Sequence, residues 1–251
     1  MTATSSGSAY LESDYAPPSL PDLSAEAELA LLLRVLVQHD YDDLRAGHVT
    51  VGLPDGTMLI NPRELCWPEV RASDIVRIDA GGRKLDGRYN PTIAAGIHLA
   101  LRRRRPDIGV IIHNHPRWAV VWGDCLRVPP VYDQTSASIP HELVLIDEYG
   151  GDFSSVDSAD QAAASFGDAA WALLANHGVL VTAPTAAAAF LRAYTLEWRC
   201  QRAWEVEALG GGRALPEQVA LDYGRHFEPM APGWWEARLR MELRRDPSVL
   251  D

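Results

Sequence analysis

Apolar and polar positions follow two different periods along the chain, and the period changes several times. Helical spacing begins after the capping residue Ser24, ends near His39, and returns over 91–104, 159–170 and 185–209. Short apolar runs bounded by turns predict strands, which we place at 48–52, 58–60, 75–79, 84–86, 108–115, 171–177 and 179–182. The pattern therefore predicts a single domain in which helices bracket one sheet, an α/β or α+β fold.

The two ends of the chain depart from this pattern. Residues 1–22 are rich in Ser, Pro and Ala without any period, so we expect a disordered or loosely packed arm. The central domain is predicted to span 23–209, where Gly210-Gly-Gly ends the last long helix. The remaining segment, 210–251, is predicted to be a linker followed by an amphipathic helix.

The C-terminal helix carries an apolar stripe made of Trp234, Trp235, Leu239 and Leu243. A stripe of this size is costly to leave in water on a monomer. We therefore expect a homo-oligomer, with a tetramer as the specific prediction and with the functional site near a subunit boundary.

Charge and targeting signals narrow the class of partner. The chain has 251 residues, with 23 Lys and Arg against 34 Asp and Glu, a net charge of −11. This balance argues against nucleic acid and against anionic membrane surfaces as partners. The longest apolar run is interrupted by Arg34, the N-terminus lacks the features of a secretion signal, and the three cysteines lie far apart. We expect a cytoplasmic protein that acts on a small molecule.

Histidines mark the candidate chemistry. His113 and His115 stand two positions apart at the end of an apolar strand, so both imidazoles point to the same face. His177 ends a second buried strand in the same way. Three imidazoles at matching strand ends are a plausible ligand set for one divalent metal.

Other catalytic templates are missing from the sequence. There is no Gly-x-Ser-x-Gly elbow, His-Glu-x-x-His pair, phosphate-binding glycine loop or Cys-x-x-Cys motif. The only lysine, Lys84, lies in a turn-rich hairpin and is a poor Schiff-base candidate. The run Arg102–Arg105 at the end of a predicted helix is interpreted as a solvated basic face.

Several motifs, taken in order, resemble the class II aldolase/adducin family over about residues 23–209. They are His48-Val-Thr-Val, Ile60-Asn-Pro-Arg, Ala72-Ser-Asp, His98-Leu-Ala, Arg105-Pro-Asp-Ile, His113-Asn-His-Pro and Asn176-His-Gly-Val. The resemblance implies a three-layer α/β/α fold around a mostly antiparallel sheet, and a tetramer in many members. It also implies one divalent metal per chain, held by His113, His115 and His177.

Two departures from the family pattern bear on the reaction. The sugar-phosphate aldolases and epimerases of the family carry an acid/base Glu four residues before the histidine that matches His98, and here that residue is Ala94. Their phosphate-binding turns are replaced by Gly47-His-Val-Thr50 and Arg63-Glu64. We therefore expect an unphosphorylated substrate, contacted by His48 and with its carboxylate held by Arg63.

Residues that follow the histidine pair in sequence are candidates for substrate binding and proton transfer. Trp118 and Trp122 follow the metal pair and either line an aromatic pocket for the substrate or belong to the core. Tyr132 is a candidate for substrate binding, and Tyr132 and Asp133 are candidates to replace the missing acid/base group.

Three functions remain open at this stage. A neutral three-histidine set leaves several metal positions open, as Fe(II) oxygen chemistry requires. The chain is similar to the family's iron-dependent decarboxylating oxygenases of aminocoumarin biosynthesis, which act on an aromatic 2-oxo acid and lack the Glu. We favour such an oxygenase, with O2 as cosubstrate and Fe(II) over Zn(II). The alternatives are a Zn-dependent retro-aldol lyase and a non-catalytic adducin-like module, against which the intact histidine set argues.

Overall fold

The computed structural model describes residues 16–147 and 156–251, and these residues contain one eight-stranded sheet. In spatial order the strands are β4-β3-β2-β1-β5-β8-β7-β6. Their bounds are β1 His48–Gly52, β2 Met58–Ile60, β3 Val76–Ile78, β4 Lys84–Asp86, β5 Val110–Asn114, β6 Leu143–Ile146, β7 Trp171–Leu174 and β8 Gly178–Ala183. Neighbouring strands are antiparallel except β6 and β7, which are parallel.

Helices cover both faces of this sheet. Their bounds are α1 Ala25–Val37, α2 Gly96–Arg104, α3 Arg117–Asp124, α4 Val156–Phe166, α5 Ala186–Ala208, α6 Glu217–Phe227 and α7 Ala231–Arg245. The main core joins α1, α3, α5 and α7 to one face of the sheet. A second core joins α2 and α4 to the other face. The predicted three-layer α/β/α fold with a mostly antiparallel sheet is confirmed.

The faces of β5 follow the alternation of its side chains. Val110 and Ile112 belong to the main core, whereas Ile111 points to the α2 side. His113 lies two residues after Ile111 and therefore points to the same side of the sheet. Thr50 of β1 pairs with Ile111 and points to that side as well. The α2 side of the two central strands therefore carries the polar residues that matter below.

The C-terminal segment differs from the sequence prediction. It contains two long helices rather than one, and α7 packs back onto the main core. Trp235 and Leu239 of the predicted surface stripe are buried inside the chain itself, and Leu243 packs against them. Only Trp234 stays largely exposed. Most of the stripe is therefore an intramolecular contact and does not support self-association, which stays a prediction.

Three further expectations concern the N-terminal arm, Lys84 and membrane-spanning helices. The predicted N-terminal arm lies mostly outside the described residues. Lys84 is exposed on β4, as predicted. Within 16–147 and 156–251, no helix combines the length and apolar character needed to cross a membrane.

Candidate metal centre

The strand β5 delivers the first two histidines. His113 is its fourth residue and is 3% exposed, and His115 follows one residue after the strand ends. Their ring centroids are 5.0 Å apart. The two imidazoles lie side by side, as the spacing of two residues predicted.

The third histidine comes from the tight turn between β7 and β8. His177 lies in this turn, its ring centroid 4.8 Å from that of His113 and 5.0 Å from that of His115. Gly178 makes the approach possible: a Cβ there would overlap the Asn114 carbonyl oxygen and the His115 ring. The glycine of Asn176-His-Gly thus lets β8 pass close to β5 and bring the third ring into place.

The three side chains fit a metal ion. Each offers one ring nitrogen, and these nitrogens lie within 4.8 Å of one another. Nδ1–H of His113 donates to the Val179 carbonyl at 2.9 Å, which leaves Nε2 as the basic nitrogen. Burial, together with repulsion from the neighbouring imidazoles, lowers the pKa of His113 and keeps it neutral, as a ligand must be.

The hydrogen bonds of His115 give the strongest indication that this residue is a metal ligand. Its Nδ1–H donates to Oδ2 of Asp43 at 2.5 Å. Its Nε2 is buried and has no hydrogen-bond partner among the described residues. A buried basic nitrogen without a donor is costly, and a metal ion at that position would satisfy it. The pairing of carboxylate, histidine and metal is a recurrent arrangement in metal sites.

Asp43 was missed by the sequence analysis. It lies just after α1 in the run Asp40-Tyr-Asp-Asp43, and its contact with His115 spans 72 positions. An acidic run after a helix end usually indicates solvent exposure, so only the tertiary contact reveals its role.

Behind the cluster lies a second pair of histidines. His48 of β1 pairs with His113 across the sheet, and their ring centroids are 4.8 Å apart. His48 Nδ1 lies 2.7 Å from His98 Nε2, and His98 Nδ1 lies 2.8 Å from Thr50 Oγ1. Burial, and then the proximity of other imidazoles, lowers the pKa of both rings, and Arg102 lowers that of His98 further, so both are neutral at pH 7.

Arg102 belongs to this buried region, which corrects the interpretation of Arg102–Arg105 as a solvated face. Its guanidinium donates to the carbonyl oxygens of Ile108, Gly109 and Thr50, and to Thr50 Oγ1. Burial lowers its pKa to about 10. Arg103 and Arg104 are exposed, as predicted.

Arg63 and Ala94 lie on segments adjacent to those that carry His48 and His98. The β1–β2 register pairs Thr50 with Ile60, and its continuation puts Pro62 opposite His48, so Arg63 lies at the His48 end of this strand pair. Its side chain is exposed. Ala94 lies in a short 3-10 helix just before α2, the helix that carries His98. Their roles stay predictions.

The aromatic candidates separate into two groups. Trp122 is buried and donates from Nε1 to the Cys200 carbonyl at 2.9 Å, so it belongs to the α3–α5 core. Trp118 is half-buried, and its ring centroid lies 5.1 Å from that of Trp204. Of the two alternatives for these residues, the core position holds for Trp122, and substrate contact by Trp118 stays a prediction.

Tyr132 and Asp133 lie near α5. Tyr132 is half-buried against the main core. The Asp133 carboxylate accepts hydrogen bonds from the backbone N and Oγ of Ser136 and from Nε1 of Trp198. This carboxylate therefore has a structural function already, and the catalytic roles of both residues stay predictions.

Comparisons with known proteins identify the family of this chain. The model of the class II aldolase and adducin N-terminal domain matches residues 27–204. The chain belongs to this family, and the resemblance inferred from its motifs is confirmed.

Individual relatives span more than one chemistry. The chain is 27% identical to the 4-hydroxy-3-prenylphenylpyruvate oxygenase/4-hydroxy-3-prenylbenzoate synthase of Streptomyces roseochromogenus subsp. oscitans, over 88% of this chain and 82% of the relative. It is 26% identical to a 5-deoxy-D-ribulose 1-phosphate aldolase of Bacillus thuringiensis serovar kurstaki, over 69% and 80%. A crystal structure of an aldolase II superfamily protein from Pseudomonas syringae aligns with a TM-score of 0.81 at 22% identity, over 90% and 94%.

Proposed function

We propose that this chain is a mononuclear metal enzyme that cleaves a carbon–carbon bond in a small, unphosphorylated, carboxylate-bearing substrate. The favoured form is a non-haem Fe(II) decarboxylating oxygenase that acts on an aromatic 2-oxo or 2-hydroxy acid with O2 as cosubstrate. The observation that carries the proposal is the three-histidine cluster in a chain that has Ala94 where the family's aldolases carry their acid/base Glu.

The cluster supplies the metal ligands. His113, His115 and His177 would hold the ion, each through one ring nitrogen, and neutral imidazole ligands would leave the charge of the ion undiminished. Fe(II) bound there would supply redox chemistry with O2. Asp43 orients the His115 ring, and the Val179 carbonyl orients that of His113.

The surrounding residues bind and orient the substrate. Arg63 is proposed to hold the carboxylate, because its guanidinium matches a carboxylate with two parallel hydrogen bonds. His48 contacts the substrate from the face of the sheet that carries His113. Trp118 is proposed as an aromatic wall. Tyr132 and Asp133 are the candidates for proton transfer, from the same chain or from a neighbouring subunit of the proposed homotetramer.

The relatives support both chemistries in unequal degree. The oxygenase relative is aligned over more of this chain than the aldolase relative, and its name specifies an aromatic pyruvate. A protein named decarboxylase NovR, from Streptomyces niveus, is 26% identical over 88% of the chain. The lyase alternative, for which a bound Zn2+ would supply Lewis-acid chemistry without O2, is supported by the similarity to the ribulose-phosphate aldolase.

An oxygen electrode separates the two functions. Iron-loaded protein with phenylpyruvate or mandelate is expected to consume O2 as product forms, and product formation is expected to stop under nitrogen. The zinc-loaded protein, assayed in parallel, is expected to be inactive. Cleavage that is equally fast under nitrogen, or with zinc alone, would establish the lyase.

A further inference from the structure

The buried residues behind the metal centre form a continuous hydrogen-bond chain. From the α2 side it runs through Arg102, Thr50 and His98 to His48, with steps of 3.3, 2.8 and 2.7 Å. Thr50 and His98 are fully buried and His48 is 4% exposed. Water therefore does not compete for these groups. Each hydrogen bond needs one donor and one acceptor, so the role of each group determines the role of the next group along the chain.

Arg102 fixes the direction of the chain. A guanidinium donates and never accepts, so Thr50 Oγ1 is the acceptor in the first step. The Thr50 hydroxyl proton must then find its own acceptor. Among the described residues the second partner of this oxygen is His98 Nδ1, so the hydroxyl donates to that nitrogen.

The direction then passes through both imidazoles. A neutral His98 that accepts at Nδ1 carries its proton on Nε2, and it donates this proton to His48 Nδ1. A neutral His48 that accepts at Nδ1 must likewise carry its proton on Nε2. That nitrogen is on the ring edge opposite His98, and the ring lies beside His113.

We infer that Arg102, Thr50 and His98 are positioning residues that fix His48 as its Nε2–H tautomer, so that it is a hydrogen-bond donor to an anionic substrate beside the metal centre. This inference rests on the proposed function for the identity of the substrate, a carboxylate-bearing acid. It also excludes His48 as a fourth ligand, because a metal at Nε2 would force the proton onto Nδ1 and reverse the chain.

The tautomer of His48 is measurable without any substrate. Protein labelled with 15N-histidine and loaded with diamagnetic Zn2+ gives two-bond 1H–15N correlations that distinguish the Nδ1–H and Nε2–H forms, and the His48→Gln spectrum assigns the His48 signals. We expect the wild type to show His48 and His98 in the Nε2–H form. A His48 protonated on Nδ1 would overturn the inference.

Substitution of Thr50 tests the cause. Thr50→Val keeps the shape but removes the donor to His98, and the Nε2–H population of His48 is expected to fall, whereas Thr50→Ser is expected to keep it. The matched control is Thr182→Val, because Thr182 is an equally buried threonine on β8 that bonds to the Ala170 carbonyl instead. An unchanged His48 tautomer in Thr50→Val would also overturn the inference. If that variant does not fold, the wild-type tautomer still decides.

Binding connects the tautomer to the substrate. Calorimetry of phenylpyruvate binding to the zinc-loaded protein is expected to give a Kd about tenfold higher for Thr50→Val than for wild type, the loss typical of a hydrogen bond to a charged group. Thr182→Val is expected to bind as wild type does. An unchanged Kd in Thr50→Val would contradict the donor role. A wild type that does not bind phenylpyruvate would overturn the substrate class proposed above. The tautomer measurement would still test the direction of the hydrogen-bond chain.

Discussion

Asp43 accepts a hydrogen bond of 2.5 Å from Nδ1 of His115, and the rest of its side chain is partly exposed to solvent. The contact determines which nitrogen of His115 is basic and which way the ring faces. Without it the ring is free to rotate or to adopt the other tautomer. The geometry of a ligand thus depends on a residue 72 positions away in sequence.

Asp43→Ala is expected to lower metal affinity by about 10–100-fold, since a carboxylate that orients a ligating histidine typically contributes that much. The measurement is a chelator competition with Zn2+ at pH 7. Asp42→Ala is the matched control, because Asp42 is the exposed neighbouring aspartate and its removal changes the net charge by the same amount. Equal affinities for the two variants would remove Asp43 from the site.

Arg63→Ala is expected to raise KM for an aromatic 2-oxo acid by about tenfold or more, with bound metal and kcat little changed. The reason is that a charge-assisted hydrogen bond to a carboxylate contributes roughly 1.5–3 kcal/mol. Arg244→Ala, at an exposed arginine on α7, is the control for loss of one positive charge. A KM equal to that of wild type would assign Arg63 to the surface.

Residue by residue, sequence reasoning found the parts of the site that have a local signature. The spacing of His113 and His115 on a strand, and the glycine after His177, are local facts. Asp43 carries no such signature, because its partner is distant in sequence. Arg102 was misinterpreted for a related reason. It stands in a run of four arginines at a helix end, and only β1 and the residue before β5 show that its guanidinium donates to buried backbone.

At the level of elements, α3 is held at its N-terminus by a side chain of α5. The Glu197 carboxylate accepts hydrogen bonds from the backbone N–H groups of Trp118 and Ala119, at 2.5 and 2.9 Å. It thereby caps the helix that begins two residues after His115. Burial raises the pKa of Glu197 to about 8, even though both hydrogen bonds favour the charged form.

The raised pKa of Glu197 predicts the direction in which the free energy of unfolding changes with pH. The folded pKa of Glu197 lies above the ordinary value of 4.5, so the free energy of unfolding is highest at low pH and falls as pH rises from about 4.5 to about 8. The loss approaches about 1.4 kcal/mol for each pH unit inside that window. Urea unfolding at several pH values, wild type against Glu197→Gln, isolates this contribution because the variant does not titrate.

The control for this experiment is Glu207→Gln, since Glu207 lies on the same helix and forms an exposed ion pair with Arg127. It removes one carboxylate from the same helix and so controls for the loss of a negative charge there. A difference between wild type and Glu197→Gln that does not change from pH 4.5 to about 8 would contradict the raised pKa of Glu197.

Element boundaries were predicted well where a capping residue marks them. Ser24 and Thr185 both accept a hydrogen bond from the first turn of their helices, which begin at Ala25 and Ala186. The tail was less well predicted, because an apolar stripe looks the same whether it covers the chain's own core or a second subunit. Trp235 and Leu239 fill the space between α1 and α5, a destination that depends on the whole fold.

At the scale of the whole molecule, the prediction of a homotetramer now depends on other residues. On the surface around α3 and the end of α5, exposed apolar side chains include Val121, Leu126, Val128, Trp204 and Leu209. Exposed apolar groups on neighbouring elements of one surface are typical of subunit contacts. Light scattering at micromolar concentration is expected to give a mass four times that of the chain, and a stable monomer would contradict the prediction.

The central claim is that His113, His115 and His177 hold a single catalytic iron. Metal analysis of protein purified without oxygen tests it most directly, with wild type compared to His113→Ala, His115→Ala and His177→Ala. Exposed His226→Ala is the control for loss of one imidazole. One iron per chain is expected in wild type and control, and bound metal is expected to fall about tenfold or more in each of the three variants. Stoichiometric zinc in place of iron, or full metal retention in any of the three variants, would contradict it.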